Sequence, residues 1–171
     1  MFGSWGEVRS RRADLDRVKA QIVFDIGTGR TTGFSLGGRD DLRGAAEAAL
    51  APAAGLGPFT HTADAFAGTD NYDYMIEGVP TFVANQDGAP YLPEYHAESD
   101  TFDKVDAREL QADAAIAAVL MWGLADSPKD PGPRQSHAEI ETMAHATGLD
   151  IQMKAFGLWS DFTTGKRGRM P

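Results

Sequence analysis

The side chains able to do chemistry here are a few carboxylates and one loop histidine. Asp25 ends the apolar run Gln21-Ile-Val-Phe-Asp25, and Gly27 and Gly29 follow it. Open α/β sheets place ligands and catalytic groups where a strand's carboxyl end opens onto glycines. A carboxylate in that place can equally do no more than accept backbone N–H bonds in the turn. His96 lies in Glu94-Tyr-His-Ala-Glu-Ser-Asp-Thr101. An imidazole there can bind zinc through one nitrogen while Glu98 or Asp100 orients the ring through the other. Read alone, it is also an ordinary exposed loop histidine. Asp70, in Gly68-Thr-Asp-Asn-Tyr72, is either the cap of a short helix or a pocket residue. His61, His137 and His145 have no ligand-like spacing and are assigned surface or structural roles. The chain has no cysteine, so disulfides and thiolate zinc sites are excluded and any metal must use His, Asp or Glu.

These residues need elements to position them. Ser4-Trp-Gly-Glu7 fits a capping box, which predicts a charged helix from Ser4 to about Ala20. Gln21 to Asp25 reads as a short buried strand, and Thr32 to Leu36 as another. Gly27, Gly29 and Gly33 mark turns between them. Asp40 to Leu50 is an Ala-rich helix stopped by Pro52 and Gly55. Val79 to Ala84 is a strand with Pro80 at its start, where a missing N–H is tolerated. A loop rich in Asp, Pro and Tyr then runs from Asn85 to Asp103. Asp106-Ala-Arg-Glu109 is a second capping box opening a helix over about Ala107 to Ala125. Leu110, Ala114, Ala117, Met121 and Leu124 fall on one face of it. After Pro128, Pro131 and Pro133 come one short helix capped by Ser136 and Glu139, and a tail without a clear pattern. The basic run Lys166-Arg-Gly-Arg169 reads as a frayed end. Alternating strands and helices predict an α/β fold.

The 171 residues suffice for one packed domain, and 42% hydrophobic with 24% charged residues is ordinary for a globular chain. A net charge of −9 without a long basic cluster sets nucleic acid aside as a partner. No apolar run approaches the ~20 residues of a membrane span.

Taken in order, the segments resemble metallopeptidase family 28, the co-catalytic zinc exopeptidases that include bacterial zinc aminopeptidases and the carboxypeptidase Q group. Met1-Phe-Gly-Ser4 is similar to the end of that family's Glu-Glu-x-Gly-x-x-Gly-Ser segment. Ile22-Val-Phe-Asp25 is similar to the strand that delivers an aspartate ligand. Gly68-Thr-Asp70 with Gly78-Val-Pro80 resembles the stretch lining the substrate pocket, and His96-Ala-Glu-Ser-Asp-Thr101 the segment supplying the last histidine ligand. Asp103-Lys-Val-Asp106 and its helix follow in family order, so the resemblance covers roughly residues 1–126; residues 127–171 match nothing recognisable.

The resemblance implies the C-terminal part of a mixed β-sheet flanked by helices, with Asp25 ligating one zinc and His96 the other. Asp70, Tyr95 and Asp100 would line the substrate pocket or support the ligands. In the family a hydroxide bridging two zincs attacks the peptide carbonyl, and a glutamate is the general base. The first histidine ligand, the bridging aspartate and both glutamates precede the Gly-Ser segment, which places them upstream of Met1. One ligand per metal is short of the about three that catalytic zinc takes, so these residues are expected to be a fragment that binds zinc weakly and is inactive alone. N-terminal strands would be missing, leaving an exposed sheet edge. The implied substrates are short peptides, with a carboxypeptidase, dipeptidase or aminopeptidase action; family members are often exported, so a signal peptide would lie upstream. A non-catalytic module keeping the fold is the main alternative. A lesser one is the phosphate-binding hairpin of the sugar kinase/actin superfamily, which Phe24-Asp-Ile-Gly-Thr-Gly-Arg-Thr-Thr-Gly33 also resembles.

Overall fold

A computed structural model describes residues 2–171; Met1, the first residue of the Met1–Ser4 segment, lies outside the described residues. The chain is mixed α/β, a three-stranded sheet flanked by helices. Strands β1 (Gln21–Val23), β2 (Thr31–Ser35) and β3 (Thr81–Gln86) lie in the order β1-β3-β2. β3 is central, parallel to β1 with Ile22 opposite Phe82, and antiparallel to β2 with Phe34 opposite Ala84.

The pleat sends alternate residues to opposite faces. Phe34, Phe82 and Ala84 point to one face, where helices α2 (Arg43–Leu50) and α4 (Ala107–Asp126) cover them with Ala46, Leu50, Ile116, Leu120 and Leu124. Gly123 lets the two helices touch: a Cβ there would lie 2.8 Å from Ala49 Cα. On the other face helix α3 (Asn71–Ile76) contacts β1 and β3, and helix α1 (Phe2–Ser10) packs on α3.

Four expectations are corrected. The first helix does not begin at Ser4 and run to Ala20. Ser4 is inside α1, its Oγ donating to Asp73 Oδ2 at 2.8 Å, and a 3₁₀ turn over Arg12–Arg17 follows. Tertiary partners override the local capping signal, because Arg12 is drawn onto Glu77 and Leu15 is buried with Val8 and Val79. The strand at Gln21 is a half-buried edge of three residues, not a buried strand reaching Asp25. On α4 the buried positions are Asp113, Ile116, Leu120 and Leu124, while Leu110 is 47% and Met121 61% exposed. The expected seam is thus rotated around the helix, although Asp106 does cap it, accepting from the N–H groups of Arg108 and Glu109. Finally, the basic run is not frayed: Arg167 is buried and bonds Asp73.

The residues beyond Pro133 form helices α5 (His137–Thr147), α6 (Leu149–Ala155) and α7 (Trp159–Thr163). The capping box of Ser136 and Glu139 is present in α5. Ile140, Met143, Leu149, Met153 and Phe162 share a second core with Ala65, Tyr72, Met75 and Ile76.

The outer edge of β2 is covered by residues 59–62, with Thr60 N–H donating to Thr32 O and Thr62 N–H to Phe34 O. His61 in this cover is buried and accepts from Phe34 N–H through Nδ1 at 3.2 Å. Burial, and next the charge of Arg43, push its imidazole below the ordinary value of 6.5. The unfolded chain then binds the proton more readily than the folded one, so this stability is full above about pH 6.5 and is lost as pH falls through the folded pKa. We expect the urea midpoint to fall on acidification from about pH 6.5, and the fall to be smaller in His61→Gln, where no proton can add. Equal slopes in both proteins would refute this assignment.

Candidate functional site

β1 and β3 are parallel, so their carboxyl ends share one rim of the sheet, the side where such sheets bind ligands. The loop after β1 carries Asp25, and the loop after β3 carries Tyr91, Tyr95, His96 and Asp100. Gln86, the last residue of β3, fixes the first loop. Its Oε1 accepts from Ile26 N–H at 3.3 Å, and its Nε2 donates to Gly27 O at 3.0 Å and to Asp113 Oδ2 at 2.8 Å. Asp113 also accepts from the buried Thr31 hydroxyl. Thr28 Oγ1 accepts from Asp106 N–H, tying the same loop to the start of α4.

Over this loop lies an aromatic row. Tyr91 packs on Gly27, where an added Cβ would be 2.9 Å from the ring. The Tyr91 and Tyr95 ring centroids are 5.2 Å apart, and Tyr95 stacks on His96 at 3.9 Å. His96 has φ of 55°, a left-handed conformation that costs a non-glycine residue about 1–3 kcal/mol and is enriched at functional sites.

The electrostatics link the residues singled out above. Asp25 is exposed, yet partial desolvation by its surroundings raises its carboxyl above the ordinary value; the charge of Asp70 adds to this, and His96 acts against it. Desolvation, then Tyr95, Asp25 and Asp100, likewise raise the Tyr91 phenol. Asp70 and His96 thus lie within electrostatic reach of Asp25, and Tyr95, Asp25 and Asp100 within reach of Tyr91. Asp70 starts α3, but its side chain makes no capping bond. Beside them opens a cleft of about 420 Å³ lined by Phe2, Ala67, Gly68, Tyr95, Leu158 and Arg167. Among the described residues, no three His, Asp or Glu side chains are gathered as a metal-holding group.

The other histidines serve structure. His137 Nδ1 is 2.7 Å from Arg169 O and its ring stacks on Phe162, and His145 Nδ1 is 3.2 Å from Asp150. The Phe24–Gly33 segment does not join two paired strands, because β3 lies between β1 and β2. Sequence reasoning missed Gln86, Asp113 and Thr31 as the supports of the Asp25 loop. The available signal was Asp113 itself, a carboxylate in register with Ile116 and Leu120. No helix among the described residues is long and apolar enough to cross a membrane. No family model, curated protein or solved structure matches the chain.

Proposed function

We propose that these residues belong to the catalytic domain of a zinc-dependent exopeptidase acting on short peptides, of carboxypeptidase or dipeptidase type. In this reading Asp25 and His96 each supply one ligand to one of two zinc ions, and Asp70, Tyr95 and Asp100 face the substrate. The observation that supports it is that Asp25, just past the carboxyl end of β1, is close enough to Asp70 and His96, both far away in sequence, for their charges to act on its carboxyl.

Zinc, when bound, supplies a Lewis acid and an activated water. The chain's own part is positional. Gln86 and Asp113 hold the Asp25 loop, and Tyr95 fixes the plane of the His96 ring by stacking. The remaining ligands and the general-base glutamate are assigned to polypeptide N-terminal to residue 1, so no bond-breaking step is given to residues 2–171.

The test is a zinc titration paired with a dipeptide hydrolysis assay on the protein carrying its upstream polypeptide. Losing a support around a ligand costs 10–100-fold, so losing the ligand itself in Asp25→Ala or His96→Ala should lower both affinity and hydrolysis by at least about 100-fold. Unchanged zinc affinity in both variants would sink the ligand assignment. An upstream polypeptide without His, Asp and Glu donors would instead identify a non-catalytic module.

A further inference from the structure

His61 is a buried imidazole with one nitrogen still to be satisfied. Its Nδ1 accepts from Phe34 N–H, so the neutral ring carries its proton on Nε2. Burial, and next the Arg43 charge, favour that neutral ring. Among the described residues Nε2–H has no hydrogen-bond partner, although the whole residue is 5% exposed. Nε2 is nevertheless not sealed from solvent, unlike the enclosed unpaired nitrogen of Trp5. An unpaired donor in a buried side chain costs free energy, so such a group marks a place where water or a ligand sits.

His61 lines a cleft of about 340 Å³, within the ~300–1,000 Å³ of small-ligand sites. Glu47, Leu50, Ala51 and Ala54 form one wall. Their spacings of three and four residues put them on one face of α2 and of the 3₁₀ turn over Ala51–Leu56 that continues it. Pro58, Phe59 and His61 form the facing wall. Leu50 and Phe59 also pack into the main core, so both walls are fixed before any ligand arrives. Glu47 is the one charged residue of this lining. Arg43, four residues earlier, is engaged by Asp40 and by His61 O, and Glu47 makes no ion pair among the described residues.

We infer that this cleft binds the amino end of a short peptide whose first side chain is apolar. The ammonium faces Glu47, the first carbonyl oxygen accepts from His61 Nε2–H, and the apolar side chain lies against Leu50, Ala54 and Phe59. The lining selects this chemistry. An anionic ligand meets the Glu47 carboxylate, and a purely apolar one covers Nε2–H without pairing it. An amine with a nearby carbonyl and an apolar group satisfies all the groups together. None of these residues is a proposed zinc ligand, so the site stands or falls separately from the exopeptidase reading.

Leucinamide is the smallest probe with all of these groups. Titrated into the zinc-free chain and followed by the nitrogen resonance of His61 Nε2, it should saturate with a Kd near about 1 mM, ordinary for so small a ligand. N-acetyl-leucinamide lacks the cation and should bind at least about 3-fold more weakly, the effect of an exposed ion pair. Isopentylamine lacks the carbonyl and should bind about 10-fold more weakly, because it leaves Nε2–H covered and unpaired. Ala54→Leu alters an exposed residue with a good helix former. It should leave the circular dichroism unchanged and, by filling the cleft, weaken leucinamide at least about 10-fold. Asp25→Ala should change nothing. No saturation up to about 10 mM overturns the inference. So does equal binding of all the probes, or binding that survives Ala54→Leu. Binding lost in Asp25→Ala overturns it too, since the amine would then sit at the Asp25 loop.

Discussion

Arg167→Ala should lower the free energy of unfolding by about 3–5 kcal/mol, a large share of the roughly 5–15 kcal/mol that holds a domain of this size together. Arg167 reaches back from the end of the chain to Asp73 on α3, with Nε 2.8 Å from Oδ1 and Nη2 3.1 Å from Oδ2. Asp73 is 1% exposed, and the guanidinium lies over the rings of Trp5 and Tyr72, with centroids 5.0 and 5.2 Å away. Removing the cation leaves a buried carboxylate with the Ser4 hydroxyl as its remaining bonded side chain. The cost comes from that uncompensated charge, not from the net worth of the pair. Replacing both partners in Asp73→Leu/Arg167→Met should therefore cost less than Arg167→Ala alone. Urea unfolding of the three proteins decides it; a double variant less stable than the single one would show that packing, not charge, is lost.

The next turn of α3 repeats the device. Glu77, also 1% exposed, takes Arg12 at 2.7 Å and Arg134 at 2.8 Å. The guanidinium of Arg12 also reaches Gly168 O, and Arg169 N–H donates to Ile76 O. α3 thus gathers both ends of the chain. None of this was legible in the sequence, because the partners lie 65, 57 and 94 residues away and local pattern carries no record of such pairings. Lys166–Arg169 read as a frayed end for the same reason.

What was legible was local. β2 and β3 are found within two residues of their expected positions, because apolar runs bounded by glycine and proline define a strand without help from distant partners. The caps at Asp106 and Ser136 held because each bonds to its own first turn. Ser4 failed because it lies inside α1, where its hydroxyl donates to Asp73. On α4 two apolar faces compete in one helix. Spacing alone marked the Leu110–Met121 stripe, whereas the sheet covers the Ile116–Leu120 face despite Asp113 within it. For the candidate site, residue type and loop position drew attention to Asp25, Asp70 and His96, but only the family resemblance assigned them roles. The Gln86–Asp113 support was hidden, since it depends on β3 separating β1 from β2.

The glycines after Asp25 give the last expectation. If Gly33 served only to admit a phosphate, alanine there would leave stability unchanged. The structure gives it a different task. An added Cβ would lie 1.8 Å from Thr60 O and 2.5 Å from the Thr60 carbonyl carbon, with Gly33 at φ of +154° beside a register shift between β2 and β3. Backbone cannot swing aside as a side chain can, so residues 59–62 would have to lift away from β2. That would strain or break the bonds from Thr60 N–H to Thr32 O (2.7 Å) and from Thr62 N–H to Phe34 O (3.0 Å). Overpacking at about 1–3 kcal/mol, plus about 0.5–1.5 kcal/mol for each bond lost, puts Gly33→Ala near 3 kcal/mol of destabilisation. The damage should be local at first. Amide exchange in Thr60 and Thr62 should accelerate more than in β3, whose pairing with β1 is untouched. A variant as stable as the parent would return Gly33 to the status of a loop glycine and reopen its role in ligand binding.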